Sequence, residues 1–93
     1  VNRALKKLIL DSNNIQDEGT AALSEALKSN NTLETLELYS NKIGVAGAQS
    51  LADMLQVNRA LKSVDLEANH DIPDEAKQQL RAAAAAKSIT LKL

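Results

Sequence analysis

The hexapeptide VNRALK occurs twice in this chain, at residues 1–6 and again at 57–62. Halving that interval to 28 residues brings the rest of the sequence into step. Leu5, Leu33 and Leu61 align, as do Leu8, Leu36 and Val64, and then Leu10, Leu38 and Leu66. Asn13, Asn41 and Asn69 follow at the same interval. Ile15, Ile43 and Ile72 come next, the last displaced by one extra residue at His70 or Asp71. Gly19, Gly47 and Ala76 share a position, and so do Leu23, Leu51 and Leu80. A repeat of this length means one supersecondary unit copied along the chain, each copy too small to bury its own apolar face.

Two periodicities lie inside each unit. The LxxLxL stretch alternates apolar and polar, which predicts a short strand with one buried face. Over residues 19–27 the apolar positions Ala22, Leu23, Ala26 and Leu27 are spaced for one stripe of a helix. Leu51, Met54 and Leu55 repeat that stripe in the second unit, and Leu80, Ala83 and Ala84 in the third. Pro73, followed by Asp74 and Glu75, is placed in the first turn of the third helix. A missing N–H is harmless there, and acids favour the helix dipole. Asn30, Asn31 and Asn58 end the helices and turn the chain back. The three spaced Asn residues are expected to form a ladder, their amides bonding backbone where the chain leaves each strand.

Composition agrees with stacked layers. The single aromatic is Tyr39, and there is no Phe or Trp to fill the centre of a globule. Formal charge is −1 with cations spread along the chain, so the basic footprint of a nucleic-acid binder is missing. No apolar run is long enough for a membrane span, and no segment reads as a signal. With no Cys there is neither a disulfide frame nor a thiolate metal site, and a reducing, cytoplasmic setting is the expectation. The opening at Val1, in mid-pattern and without Met, reads as a fragment or processed chain.

LKKLILDSNNI at 5–15, LETLELYSNKI at 33–43 and LKSVDLEANHDI at 61–72 resemble the leucine-rich repeat of the ribonuclease-inhibitor type. Ribonuclease inhibitors, NOD-like receptor sensor regions, Ran GTPase-activating proteins and tropomodulins share that type. The resemblance implies an α/β solenoid, a right-handed β-α superhelix with a parallel sheet on the concave face and helices on the convex one. One domain would span 1–93, with units at about 5–32, 33–60 and 61–89 and a partial strand at 89–93. SLADMLQVNRALKSVDLEANH also looks like part of tropomodulins, which cap actin filaments. Family members usually carry more repeats. Leu5, Leu8 and Leu10 have no preceding helix, and the run at 82–86 has little bulk with which to cover the other end.

Residues between the leucines point to the opposite sheet face. Equivalent positions form three rows: Lys7, Thr35 and Ser63; Ile9, Glu37 and Asp65; Asp11, Tyr39 and Glu67. Four acids and the lone aromatic share this face. Ile9, Asp11, Glu37, Tyr39, Asp65 and Glu67 are therefore the expected contact residues for a protein partner with a basic surface. A solvated sheet surface is the plainer alternative for the same acids.

Glu37 and Asp65 approach the spacing of a retaining glycosidase pair, but an open sheet excludes no water and no nucleophile–base pair accompanies them. An enzyme is not expected, nor a cofactor. No tight loop gathers the acids around a metal, and His70 is one loop histidine. Asn30-Asn31-Thr32 matches a glycosylation sequon of little weight. Arg3, Lys6 and Lys7 form a small basic group at the open end, and Glu25, Lys28, Asp53 and Arg81 read as a wetted helix face. The alternatives to a protein-interaction module are tropomodulin-like actin capping, regulation of a small GTPase, and self-association through the exposed repeat ends.

Overall fold

The computed structural model describes residues 5–93. Strands and helices alternate: β1 (Lys7–Ile9), α1 (Gln16–Lys28), β2 (Thr35–Glu37), α2 (Val45–Val57), β3 (Ser63–Asp65), α3 (Asp74–Ala86) and β4 (Thr90–Lys92). The four strands form one parallel sheet in sequence order. Each helix packs on the next one along, α1 on α2 and α2 on α3. A parallel strand pair needs a crossover, and here every crossover contains a helix.

The strands are shorter than the leucine alternation, because only three residues per unit hold ladder geometry. Leu36 and Val64 are fully buried at the strand centres, with Leu38 and Leu66 buried just past the strands. The core between sheet and helices also holds Leu33, Ile43, Leu51, Met54, Leu55, Leu61, Ile72, Leu80 and Ile89. Burying each large aliphatic side chain stabilises the fold by about 2 kcal/mol. All of these lie in the second and third units or at the close of the chain.

The first helix departs from expectation. Ala22 and Ala26 are exposed, while Thr20, Ser24 and Leu27 are buried. In α2 the position equivalent to Ala26 is Met54, which is fully buried. What differs is cover: α2 has α1 against one side, whereas no described element packs on that side of α1. Helix α3 keeps its expected stripe, with Leu80, Ala83 and Ala84 buried and the other alanines of 82–86 exposed. Pro73 stands one position earlier than expected, as the N-cap, and its carbonyl accepts the N–H of Lys77 at 3.0 Å.

The asparagine ladder forms between units. Asn41 Oδ1 accepts the N–H groups of Asn13 (2.8 Å) and Ile15 (3.3 Å), and its Nδ2 donates to the Leu10 carbonyl at 2.8 Å. Asn69 does the same one unit later, accepting from Asn41 (2.8 Å) and Ile43 (3.1 Å) and donating to Leu38 (2.9 Å). Two N–H groups converge on one oxygen because alternate residues are left-handed. Ser12 and Asn14 have φ of 58° and 54°, and Ser40 and Lys42 have 55° and 58°. Such an alternating turn makes a concave nest of donors.

A second ladder runs along the helix ends. Asn58 Nδ2 donates to the carbonyls of Leu27 (2.7 Å) and Asn30 (3.2 Å) in the preceding unit. Its Oδ1 accepts from Ala60 and Leu61, both at 2.8 Å, and Asn30 Oδ1 accepts from Leu33 at 2.9 Å. Asn30 and Asn58 read as turn residues from sequence; their 28-residue spacing is the signal that they also tie neighbours together. Asp17 supplies a third tie, its Oδ1 accepting the Gly44 N–H at 2.7 Å where α2 begins.

Candidate functional site on the open sheet face

Strand register builds this face. Lys7 lies beside Thr35 and Thr35 beside Ser63; Ile9 lies beside Glu37 and Glu37 beside Asp65. Beyond the strand ends the third row stays aligned, since the Ser12 N–H donates to the Tyr39 carbonyl (2.8 Å) and that of Ser40 to Glu67 (3.0 Å). The six residues singled out from sequence thus lie in two adjacent rows, Ile9, Glu37 and Asp65 in one and Asp11, Tyr39 and Glu67 in the other.

The rows expected from sequence stop one strand early. In β4, Thr90 pairs beside Ser63 and Lys92 beside Asp65. The acidic row therefore ends on a cation. The clue is the partial strand at 89–93, whose alternation places Thr90 and Lys92 on the same side as Ser63 and Asp65.

Three of the four acids are engaged within the face. Asp11 Oδ1 accepts the Tyr39 backbone N–H at 3.0 Å, and Asp65 Oδ1 accepts that of Glu67 at 2.9 Å. Glu37 lies 3.7 Å from Lys7 Nζ. Where the chain enters the strands, Glu34 stands between Lys6 (3.9 Å) and Lys62 (3.8 Å). These pairs are solvent-exposed and worth at most about 1 kcal/mol each. Lys6, Lys7 and Lys62 lie toward the strand starts, whereas Asp11, Asp65 and Glu67 lie toward the strand ends, where Lys92 joins them. Tyr39 is 44% exposed and Ile9 53% exposed, giving the face its apolar area.

Among the described residues no group of three or more His, Cys, Asp or Glu side chains is gathered to hold a metal ion. No helix there is long and apolar enough to cross a membrane. His70 is an exposed loop residue, and Arg3 of the small basic group lies outside the described residues. On the helix layer, Gln49, Ala52 and Gln56 of α2 and Gln79, Ala82, Ala83 and Ala86 of α3 line an open groove, a feature that no sequence motif marks.

A family model described as Leucine Rich repeat matches residues 1–24 and 29–52, just over half the chain. The chain belongs to the leucine-rich-repeat family. Each matched segment spans a strand, the loop that feeds the asparagine ladder and the first two turns of the helix after it. Leucine-rich-repeat domains generally mediate protein–protein interaction and are typically not enzymes. No curated protein matches this leucine-rich-repeat chain at a significant level.

Proposed function

We propose that this leucine-rich-repeat chain is a single ribonuclease-inhibitor-type domain, 1–93, that binds a protein partner through its sheet. Its units, about 5–32, 33–60 and 61–89 with a partial strand at 89–93, would stack as a right-handed solenoid. The sheet would line the concave face and the helices the convex one. The partner would meet Ile9, Asp11, Glu37, Tyr39, Asp65 and Glu67 with a surface carrying basic groups. The absence of Cys supports a cytoplasmic encounter.

One observation carries this reading: Tyr39 is exposed at the centre of the rows while its backbone is held by Asp11. An aromatic on a rigid backbone offers contact area with little entropy to lose. The acids around it supply orientation and attraction over distance. A pull-down from matched cell extract, comparing the native chain with a Tyr39→Ala, Glu37→Gln variant, tests it. The partner retained by the native chain should be lost by the variant and should elute at raised salt. Equal capture by both proteins refutes the sheet-face reading.

A further inference from the structure

The helix layer carries a hollow that a change of side-chain size creates. In the register of the repeat, Ala82, Ala83 and Ala86 of α3 stand where α2 has Asp53, Met54 and Val57. Met54 is fully buried and fills its place beside α1. Methyl groups are too short to do the same, and a groove of about 520 Å³ stays open between α2 and α3. A second hollow of about 340 Å³, with Val45, Pro73 and Glu75 in its wall, shares Gln49 and Gln79 with the first. Together they run nearly the length of both helices. Val45 and Glu75 stand at one mouth, Gln56 and Ala86 at the other.

The two mouths carry opposite charge. Glu75 lies in the wall where α3 begins, next to Asp74, and Asp71 is exposed in the loop before them. These three acids outnumber Lys42, the cation in the loop before α2. At the other mouth both helices end. Lys87 is the C-cap of α3, directly after Ala86, and Arg59 follows Asn58, the C-cap of α2. Among the described residues, none of Asp74, Glu75, Arg59 and Lys87 stands in an ion pair. Between the mouths the walls are uncharged, with glutamine amides around alanine methyls.

We propose that this groove is a self-docking surface, through which two copies of the chain meet side by side, helix layer to helix layer. They lie antiparallel, about a two-fold axis near Ala52 and Ala82. A second copy is the occupant because the surface is its own complement. In the antiparallel pose the acidic mouth of each copy rests on the basic mouth of the other, so Glu75 faces Lys87 of the second copy twice over. A parallel pose sets like charges together. The alanines between the mouths let the helix pairs approach closely, since interaxial distance follows side-chain size at the contact. A two-fold contact closes at two copies and leaves no open chain of subunits. Each helix is about 20 Å long, a small footprint for a stable dimer, so the pairing is reversible and salt-sensitive. It leaves the open sheet face of both copies free and does not depend on what that face binds.

Sedimentation equilibrium of the native chain in low salt, over about 0.01–1 mM, tests the pairing. The weight-average mass should climb from 10.0 kDa toward twice that value, and should fall back in about 0.5 M salt. Glu75→Lys and Lys87→Glu, each alone, should weaken association at least about tenfold, because each sets like charges together at both mouths. The chain carrying both exchanges should regain it, and so should an equimolar mixture of the two single variants. Both side chains are exposed, so circular dichroism of the dilute variants should match the native spectrum. A native chain that stays monomeric across the range would overturn the proposal and leave the groove to a different protein or to solvent. Association that ignores the single reversals, or that the paired exchange fails to restore, would overturn it as well.

Discussion

The Asn69 side-chain oxygen accepts the backbone N–H of Asn41 at 2.8 Å, and Asn41 passes the same bond to Asn13 at 2.8 Å. Each amide thereby satisfies backbone of the preceding unit while its own loop awaits the next. Asn41 is 0% and Asn69 4% exposed, so both amides are shut off from bulk water and rely on these partners. Asn41→Ala strips partners from the N–H groups of Asn13 and Ile15 and the Leu10 carbonyl. These three bonds are part-buried, so at about 1 kcal/mol per group the loss should reach roughly 3 kcal/mol. Urea unfolding reads this directly, and a loss below about 1 kcal/mol would remove the ladder from the account of stability.

Ser24 is buried to 1%, and its Oγ has no hydrogen-bond partner. Thr20, one turn earlier, bonds the Gln16 carbonyl at 2.6 Å. The residue equivalent to Ser24 in α2 is Ala52, also buried. Ser24→Ala should therefore stabilise by about 1 kcal/mol, from hydroxyl desolvation relieved and better helix propensity. The melting temperature would rise by roughly 4–8 °C in a chain of this size. A fall on calorimetry would show that the hydroxyl has a role in the α1–α2 contact.

Gly47 and Gly19 hold the same place in successive units and should respond differently. A Cβ on Gly47 would come within 2.7 Å of Asp17 Oδ1 and 2.8 Å of Ile43 Cγ2, with Thr20 Cβ at 3.3 Å. Asp17 is held there by the Gly44 N–H and Ile43 is fully buried, so neither gives way easily. The strain of about 1–3 kcal/mol outweighs the helix gain of about 1 kcal/mol. At Gly19 the close atoms belong to Ile15 alone, with Cγ2 at 2.5 Å, and Ile15 is only partly buried where Ile43 is fully buried. Both alanine variants should destabilise, Gly47→Ala by more than Gly19→Ala, as chemical denaturation of the two variants will show.

Lys42 is exposed, with φ of 58°, a conformation that costs a side-chain-bearing residue about 1–2 kcal/mol. Glycine removes that cost and adds back roughly 0.5–1 kcal/mol of unfolded-chain entropy. Lys42→Gly should thus leave a net gain of up to about 1 kcal/mol. A clear drop in the urea midpoint would count against strain at this turn.

Tyr39→Ala should separate binding from folding. With the ring 44% exposed and the Asp11 bond made by the Tyr39 backbone, the melting temperature should move little. Partner affinity, on the proposed reading, should fall by at least about tenfold, the 1.4 kcal/mol that an aromatic contact commonly carries. A large loss of stability would assign Tyr39 to the scaffold instead.

Periodicity makes the strand–helix order, the leucine core and the rows of open-face residues legible in the sequence itself, because all three follow from which side chains must avoid water. The same spacing marks Asn41 and Asn69. Other features depend on contact between units. Ala22 and Ala26 have the spacing of a buried stripe yet face solvent, since burial requires a neighbour as well as a pattern. Asp17 reads as an ordinary first-turn acid and yet serves the Gly44 N–H of another helix. Asn58 reads as a turn residue and reaches back to Leu27. Lys92 joins the acidic row only because β4 pairs beside β3. Sequence alone determined the unit, because its period is a local consequence of hydrophobic burial. Only tertiary structure decided which units lean on which, because hydrogen bonds and packing across 28 residues depend on where the neighbouring layer sits.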